Sequence, residues 1–139
     1  MKHYYVTAAV LINSGEILCM QRGPSKYEYV AYKYEFPGGK VEKSESHEAC
    51  LQRELMEELG IVVEIKPEQF LMTVEHCYPD FTITMHTYIC PVNTRKFTMH
   101  EHKDFKWLPK EKISVLDWVD ADKPIVKSLF ESGVDQWNY

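Results

Sequence analysis

Glu54, Glu57 and Glu58 stand close together in the chain, with Arg53 immediately before them and Glu45 further upstream. On a helix, residues three and four apart are neighbours. The three carboxylates are therefore predicted to share one flank. A hard divalent cation takes oxygen ligands, and magnesium uses one or two carboxylates while leaving room for substrate phosphates. Such an ion would neutralise charge on a polyphosphate as a bond breaks and would lower the pKa of an attacking water. Gly38 and Gly39 precede the helix, and a residue without Cβ lets a backbone carbonyl come close to the same point. Arg53 cannot coordinate a cation; its predicted task is to orient a neighbouring carboxylate. Taken alone, three glutamates on a helix are an ordinary solvated face, since like charges four apart cost only about 0.2–0.5 kcal/mol per pair.

The helix that must carry these groups is predicted to begin at a Ser46 N-cap, with Glu48 in its first turn, and to end at Leu59. Gly60 falls where a left-handed C-terminal cap belongs. Leu51, Leu55 and Leu59 form an apolar stripe facing a core, and the glutamates lie off it. Upstream, residues 4–12 and 17–21 read as two strands joined by a turn at 13–16. A loop follows from Arg22 to about residue 33, thick with tyrosines, and reads as the rim of a ligand cleft. Residues 34–36 form a short strand stopped by Pro37-Gly38-Gly39.

Downstream, residues 61–65 and 70–76 have strand composition, Tyr78-Pro79-Asp80 is a turn, and 81–90 alternates as a partner strand. A polar loop containing Glu101 leads to a strand at 104–108, then one or two helical turns within 109–116. Asp122 is the N-cap candidate, with Pro124 in the first turn, for a closing helix to about residue 130. The class is α/β (α+β), a mixed β-sheet sandwiched between helices, in a single domain over residues 1–139.

The formal charge of 16 − 21 = −5 argues against a nucleic-acid polymer as partner, because gripping a phosphate backbone calls for a basic surplus. A small anionic ligand remains compatible with it, since a metal supplies positive charge locally. No run approaches the length of a membrane span, and the first residues lack a signal-peptide pattern. Cys19, Cys50, Cys77 and Cys90 are widely spaced, and without a secretory signal they read as reduced core thiols. The expected location is cytoplasmic. His76, Cys77, His86 and Cys90 lack the paired spacing of a zinc site and read as strand residues beside a hairpin.

Gly39, Glu45, Arg53-Glu54-Leu55, Glu57-Glu58 and Gly60-Ile61 fit G-x5-E-x7-R-E-U-x-E-E-x-G-U, with U aliphatic, without departure. Seven fixed identities arise by chance about once in 10^8 placements at a background of about 7% per residue. The stretch resembles the Nudix box, and the order of strands and helices resembles the Nudix fold over nearly the whole chain. Tyr34-Glu35-Phe36-Pro37-Gly38-Gly39-Lys40 adds similarity to the MutT-like branch, which includes pyrophosphohydrolases of cytosine and oxidised guanine nucleotides.

The resemblance implies hydrolysis of a nucleoside triphosphate to monophosphate and diphosphate, dependent on Mg2+ or Mn2+, with a role in nucleotide-pool sanitation. It implies Glu54, Glu57 and Glu58 as metal-binding carboxylates, the Gly38 carbonyl as a further ligand, and Arg53 as the group orienting Glu54. Glu45 has a supporting role, and Glu101 is a late metal ligand or base. Arg22 would contact phosphate, while Phe36 and Lys40 of the branch motif would line the substrate site. Asp122 aligns with the position that reads the base edge. As an ionised carboxylate it would only accept hydrogen bonds, suiting the cytosine amino group or the guanine N–H groups better than thymine or uracil. Tyr78 stands near a tyrosine of the family's dinucleoside-polyphosphate members but reads more simply as part of the hairpin. The alternatives are hydrolysis of another nucleoside-diphosphate derivative, such as a dinucleoside polyphosphate or ADP-ribose, and a non-catalytic nucleotide-sensing module. Either way the partner is a small nucleotide, and the protein acts as a monomer or homodimer.

Overall fold

The first strand, β1 (Lys2–Asn13), runs through the middle of the sheet and sets the position of everything else. In the computed structural model, which describes residues 1–131, β1 turns into β2 (Glu16–Arg22) but pairs with it only at Ile12↔Ile17 and Asn13↔Glu16. The two strands then splay. Into the opening fit two short strands from one connecting segment: β3 (Tyr34–Glu35) on β2, and β4 (Gly38–Lys40) on β1. On its other side β1 lies parallel to β6 (Phe81–Pro91), which pairs antiparallel with β5 (Phe70–Cys77). β7 (His102–Pro109) runs antiparallel along β2. The seven-stranded sheet is mixed.

Period-two alternation divides β1 between two cores. Ala9 and Leu11 face α1 (His47–Leu59), meeting Leu51, Leu55 and Leu59, all three fully buried. Ala8, Val10 and Ile12 face the opposite layer, where α2 (Lys123–Glu131) supplies Ile125, Val126 and Leu129. The expected sandwich of a mixed sheet between helices is the observed one. The helix ends also follow the sequence. Ser46 caps α1 by accepting from Ala49 N–H at 3.1 Å, and Gly60 closes it in the left-handed conformation. Tyr88 Oη donates to Glu48, tying the first turn to β6.

Residues 61–65 do not form the expected strand. Ile61 and Ile65 are buried against the α1 core while Val62 is exposed, and the Ile65 N–H is satisfied by Gln52 Oε1 at 2.8 Å. Strand-like composition there reflects burial of alternate residues without a neighbouring strand to pair with. β7 begins earlier than expected, at His102, and the region 109–116 holds one 3₁₀ turn, Ile113–Val115. Of the four cysteines, all unpaired, Cys77 is exposed rather than in the core. Among the described residues no helix is long and apolar enough to cross a membrane.

Candidate active site

The splaying of β1 from β2 opens a cleft of about 1050 Å³. One wall is the start of the α1 layer with Gly38, Gly39, Lys40, Arg53 and the three helix glutamates; the other is Phe36, Val119, Ala121 and Asp122, with Arg22 and Glu101 also in the lining. Every residue singled out in the sequence therefore reaches this one cavity except Glu45, which stands behind Arg53.

Arg53 organises the first wall. Its Nε and Nη2 donate to Glu45 Oε2 and Oε1 at 2.7 and 3.0 Å, a two-pronged grip. Nη1 donates to Glu54 Oε1 at 2.9 Å and Glu57 Oε2 at 3.2 Å, and Nη2 also reaches the Lys40 carbonyl at 3.1 Å. Orienting Glu54 is thus only part of its work; its firmest partner is Glu45, whose carboxyl the arginine draws down to about 2. A Cβ added at Gly39 would lie 2.2 Å from the Glu54 carboxyl carbon, so this glycine is needed for the carboxylate to lie against the turn.

Glu58 differs from its neighbours. It is 6% exposed, and its Oε2 is buried without a partner among the described residues. Burial pushes its pKa up to about 9, and the charges of Glu101, Glu35, Glu54 and Glu57 push the same way. Burial likewise raises Glu54, against the pull of Arg53. An orphaned carboxylate oxygen surrounded by like charge is the donor set that a hard cation satisfies. Among the described residues, however, no three histidine, cysteine, aspartate or glutamate side chains are arranged to hold a metal ion as they stand. Arg53 holds an oxygen of Glu54 and of Glu57, so these two share a wall with Glu58 without forming a ready cage.

At the far end, Asp122 lies in the 3₁₀ turn Asp120–Asp122, just ahead of α2. It is 4% exposed, and its Oδ2 accepts the Phe36 N–H at 2.9 Å. This hydrogen bond joins the turn ahead of α2 to the β3–β4 connection, in place of the expected helix cap. Burial, with the charge of Glu35, raises its pKa to about 8. Burial thus favours the protonated form of this group over the ionised carboxylate expected from the sequence. The Phe36 ring lies 4.6 Å from that of Trp118. Lys40 places its Nζ 4.2 Å above the Tyr4 ring.

Several lining residues were not singled out as site residues by the sequence. Glu35 bridges Arg22 and His102 at 3.0 and 2.8 Å. Tyr78 is buried, its Oη accepts the Ala121 N–H at 2.9 Å, and it lines the cleft as well as following β5. Tyr27, from the tyrosine-thick loop, and Phe81 complete an aromatic corner with ring centroids 5.6 Å apart. Of these, Glu35 lay within the branch motif, Tyr78 near a family tyrosine and Tyr27 in the tyrosine-rich loop, whereas His102 and Phe81 had no such signal. A second cavity, of about 880 Å³, lies between residues 60–64 and 90–96, away from these groups.

The model of the NUDIX domain matches residues 1–129. The CTP pyrophosphohydrolase of Escherichia coli is 32% identical over 93% of each chain. The 8-oxo-dGTP diphosphatase of the same organism is 28% identical over 93% of this chain and 98% of its own. Among solved structures, the MutT protein of Methanosarcina mazei superposes with a TM-score of 0.81 at 22% identity, covering 99% of this chain and 96% of that one.

Proposed function

The chain belongs to the Nudix hydrolase family, and from that premise we propose that it hydrolyses nucleoside triphosphates, on cytosine or oxidised-guanine nucleotides, to the monophosphate and diphosphate. The observation that carries this reading is the cleft itself. It joins an acidic wall, with one glutamate oxygen buried and without a partner among the described residues, to a pocket lined by Phe36 and Val119 that ends at the buried carboxyl of Asp122. The names of the two Escherichia coli relatives supply the substrate class.

Nudix hydrolases depend on divalent metal ions. Here Glu54, Glu57, Glu58 and Glu101, with the Gly38 carbonyl, would hold Mg2+ or Mn2+, which when bound neutralises the polyphosphate and lowers the pKa of the attacking water. The chain's own groups do the positioning. Arg53 keeps Glu54 and Glu57 turned toward the cleft, and Glu45 keeps Arg53 in place. Arg22 and Lys40 offer cations to the phosphates. Phe36, Val119 and Met85 receive the base, and the buried carboxyl of Asp122 meets its edge. Water adds to an internal phosphorus, the bond to the bridging oxygen breaks, and diphosphate leaves.

The test is incubation with a panel of cytosine, guanine and 8-oxo-guanine nucleoside triphosphates in Mg2+. Cleavage of none of them, with Mn2+ failing to restore it, overturns the proposal.

A further inference from the structure

Resting on that reading, we infer that His102 is a positioning residue: acting through Glu35, it fixes where Arg22 points its guanidinium in the cleft.

Three strands bring the groups together. Arg22 ends β2, Glu35 ends β3, and His102 begins β7. Along β2 and β7 the ladder is regular until Gln21, which pairs with Asp104; Arg22 then pairs with His102, so Lys103 is an extra residue at an irregularity. Such bulges re-aim side chains. A regular ladder would set Lys103 opposite Arg22, two cations face to face. The bulge seats the imidazole there instead.

The imidazole is committed to one contact. Its side chain is 5% exposed, Nε2 lies 2.8 Å from Glu35 Oε2, and Nδ1 is buried without a partner among the described residues. Glu35 Oε1 accepts from Arg22 Nη1 at 3.0 Å, so both carboxylate oxygens are engaged. Burial works against ionisation of Glu35, yet the His102 hydrogen bond and Arg22 together hold its pKa below the ordinary value. An ionised carboxylate only accepts, which makes Nε2–H the donor.

Arg22 depends on this relay. Its Nε is buried with no partner among the described residues, so the Nη1–Glu35 bond is what aims the group. The other guanidinium of the cleft, Arg53, is taken up by Glu45, Glu54 and Glu57. Arg22, with its side chain 38% exposed, is the one placed to offer a fork to a phosphate. Without the His102 donor, Glu35 Oε2 would be left unmatched in a mostly buried place, and the carboxylate would turn and release the arginine.

The experiment is a double-mutant cycle of His102→Leu with Arg22→Ala, plus His102→Gln, whose amide can donate to the same oxygen. Four quantities are measured: kcat, KM for the nucleotide turned over, affinity for inorganic triphosphate with Mg2+ by calorimetry, and Tm. His102→Leu is expected to raise KM and weaken triphosphate binding about tenfold with kcat changed by less than about threefold, and His102→Gln to recover most of the loss. In the Arg22→Ala background the His102 change should add less than about twofold. Losses that multiply in that background, a Gln variant no better than Leu, or triphosphate bound by Arg22→Ala as tightly as by the parent would each overturn the inference. If His102→Leu does not fold, Glu35→Gln takes its place in the cycle with the same expectation of non-additivity. A parent that hydrolyses no nucleotide refutes the functional reading instead, and the triphosphate cycle then decides this inference alone.

Discussion

Arg53 grips Glu45 with two parallel hydrogen bonds, Nε to Oε2 at 2.7 Å and Nη2 to Oε1 at 3.0 Å. This pair is the fixed point from which Arg53 reaches Glu54 and Glu57. Arg53→Lys replaces a planar fork by a single ammonium and cannot serve Glu45, Glu54 and Glu57 together. Its kcat is expected to fall about 100-fold, checked by steady-state kinetics on the same nucleotide.

The same pair has a signature in acid. Glu45 titrates near 2 when folded against an ordinary 4.5. Its contribution to stability is fully present above 4.5 and is lost as pH falls toward 2. Glu45→Gln should therefore differ most from the parent at neutral pH, and the gap in Tm should close between about pH 4 and pH 2.

Glu58 has the opposite sign. Its folded pKa of about 9 lies above the ordinary 4.5, so the folded state keeps a proton that the unfolded state has lost. Metal-free stability should decline as pH rises through that window. Glu58→Gln should abolish this slope and be more stable than the parent at pH 9. Because bound Mg2+ must displace the proton, the rise in Tm on adding Mg2+ should grow from pH 6 to pH 9 in the parent, and in the variant it should be smaller and lose this pH dependence.

Asp122→Asn tests the proposed base-reading role. A neutral carboxyl and an amide can each accept from Phe36 N–H, and the carboxyl offers one donor hydrogen where the amide offers two. At pH 6 to 7 the variant should keep kcat/KM within about threefold, whereas Asp122→Ala should lose about tenfold or more. Above about pH 8, where the parent ionises, only the parent should change its preference among bases.

Gly39→Ala would drive a methyl group into the Glu54 carboxylate. Since Arg53 holds that carboxylate, the expected result is a fall in kcat of more than about tenfold with only a few degrees lost in Tm, measured by kinetics and thermal melting.

What could be read in the sequence was local. The extent of α1, its Ser46 cap and its Leu51–Leu55–Leu59 stripe follow from spacing within a few residues, and so does the shared flank of the glutamates. The rest of the site is built from long-range pairings. Phe36 meets Asp122 across 86 positions, and Glu35 meets His102 across 67, neither of which any local pattern encodes. The burial of Asp122 was hidden for the same reason, because it depends on distant residues. Residues 61–65 misled through composition: alternate burial on α1 resembles a strand until no partner is found.

The most direct measurement of the central claim is Mn2+ binding followed by electron paramagnetic resonance, in the parent and in Glu58→Gln, alongside nucleotide turnover in EDTA. The expected result is a saturable site in the parent, markedly weakened in the variant, with turnover abolished by EDTA and lowered about 10^3-fold or more by the substitution. Equal Mn2+ occupancy in both proteins, or hydrolysis undiminished by EDTA, would contradict it.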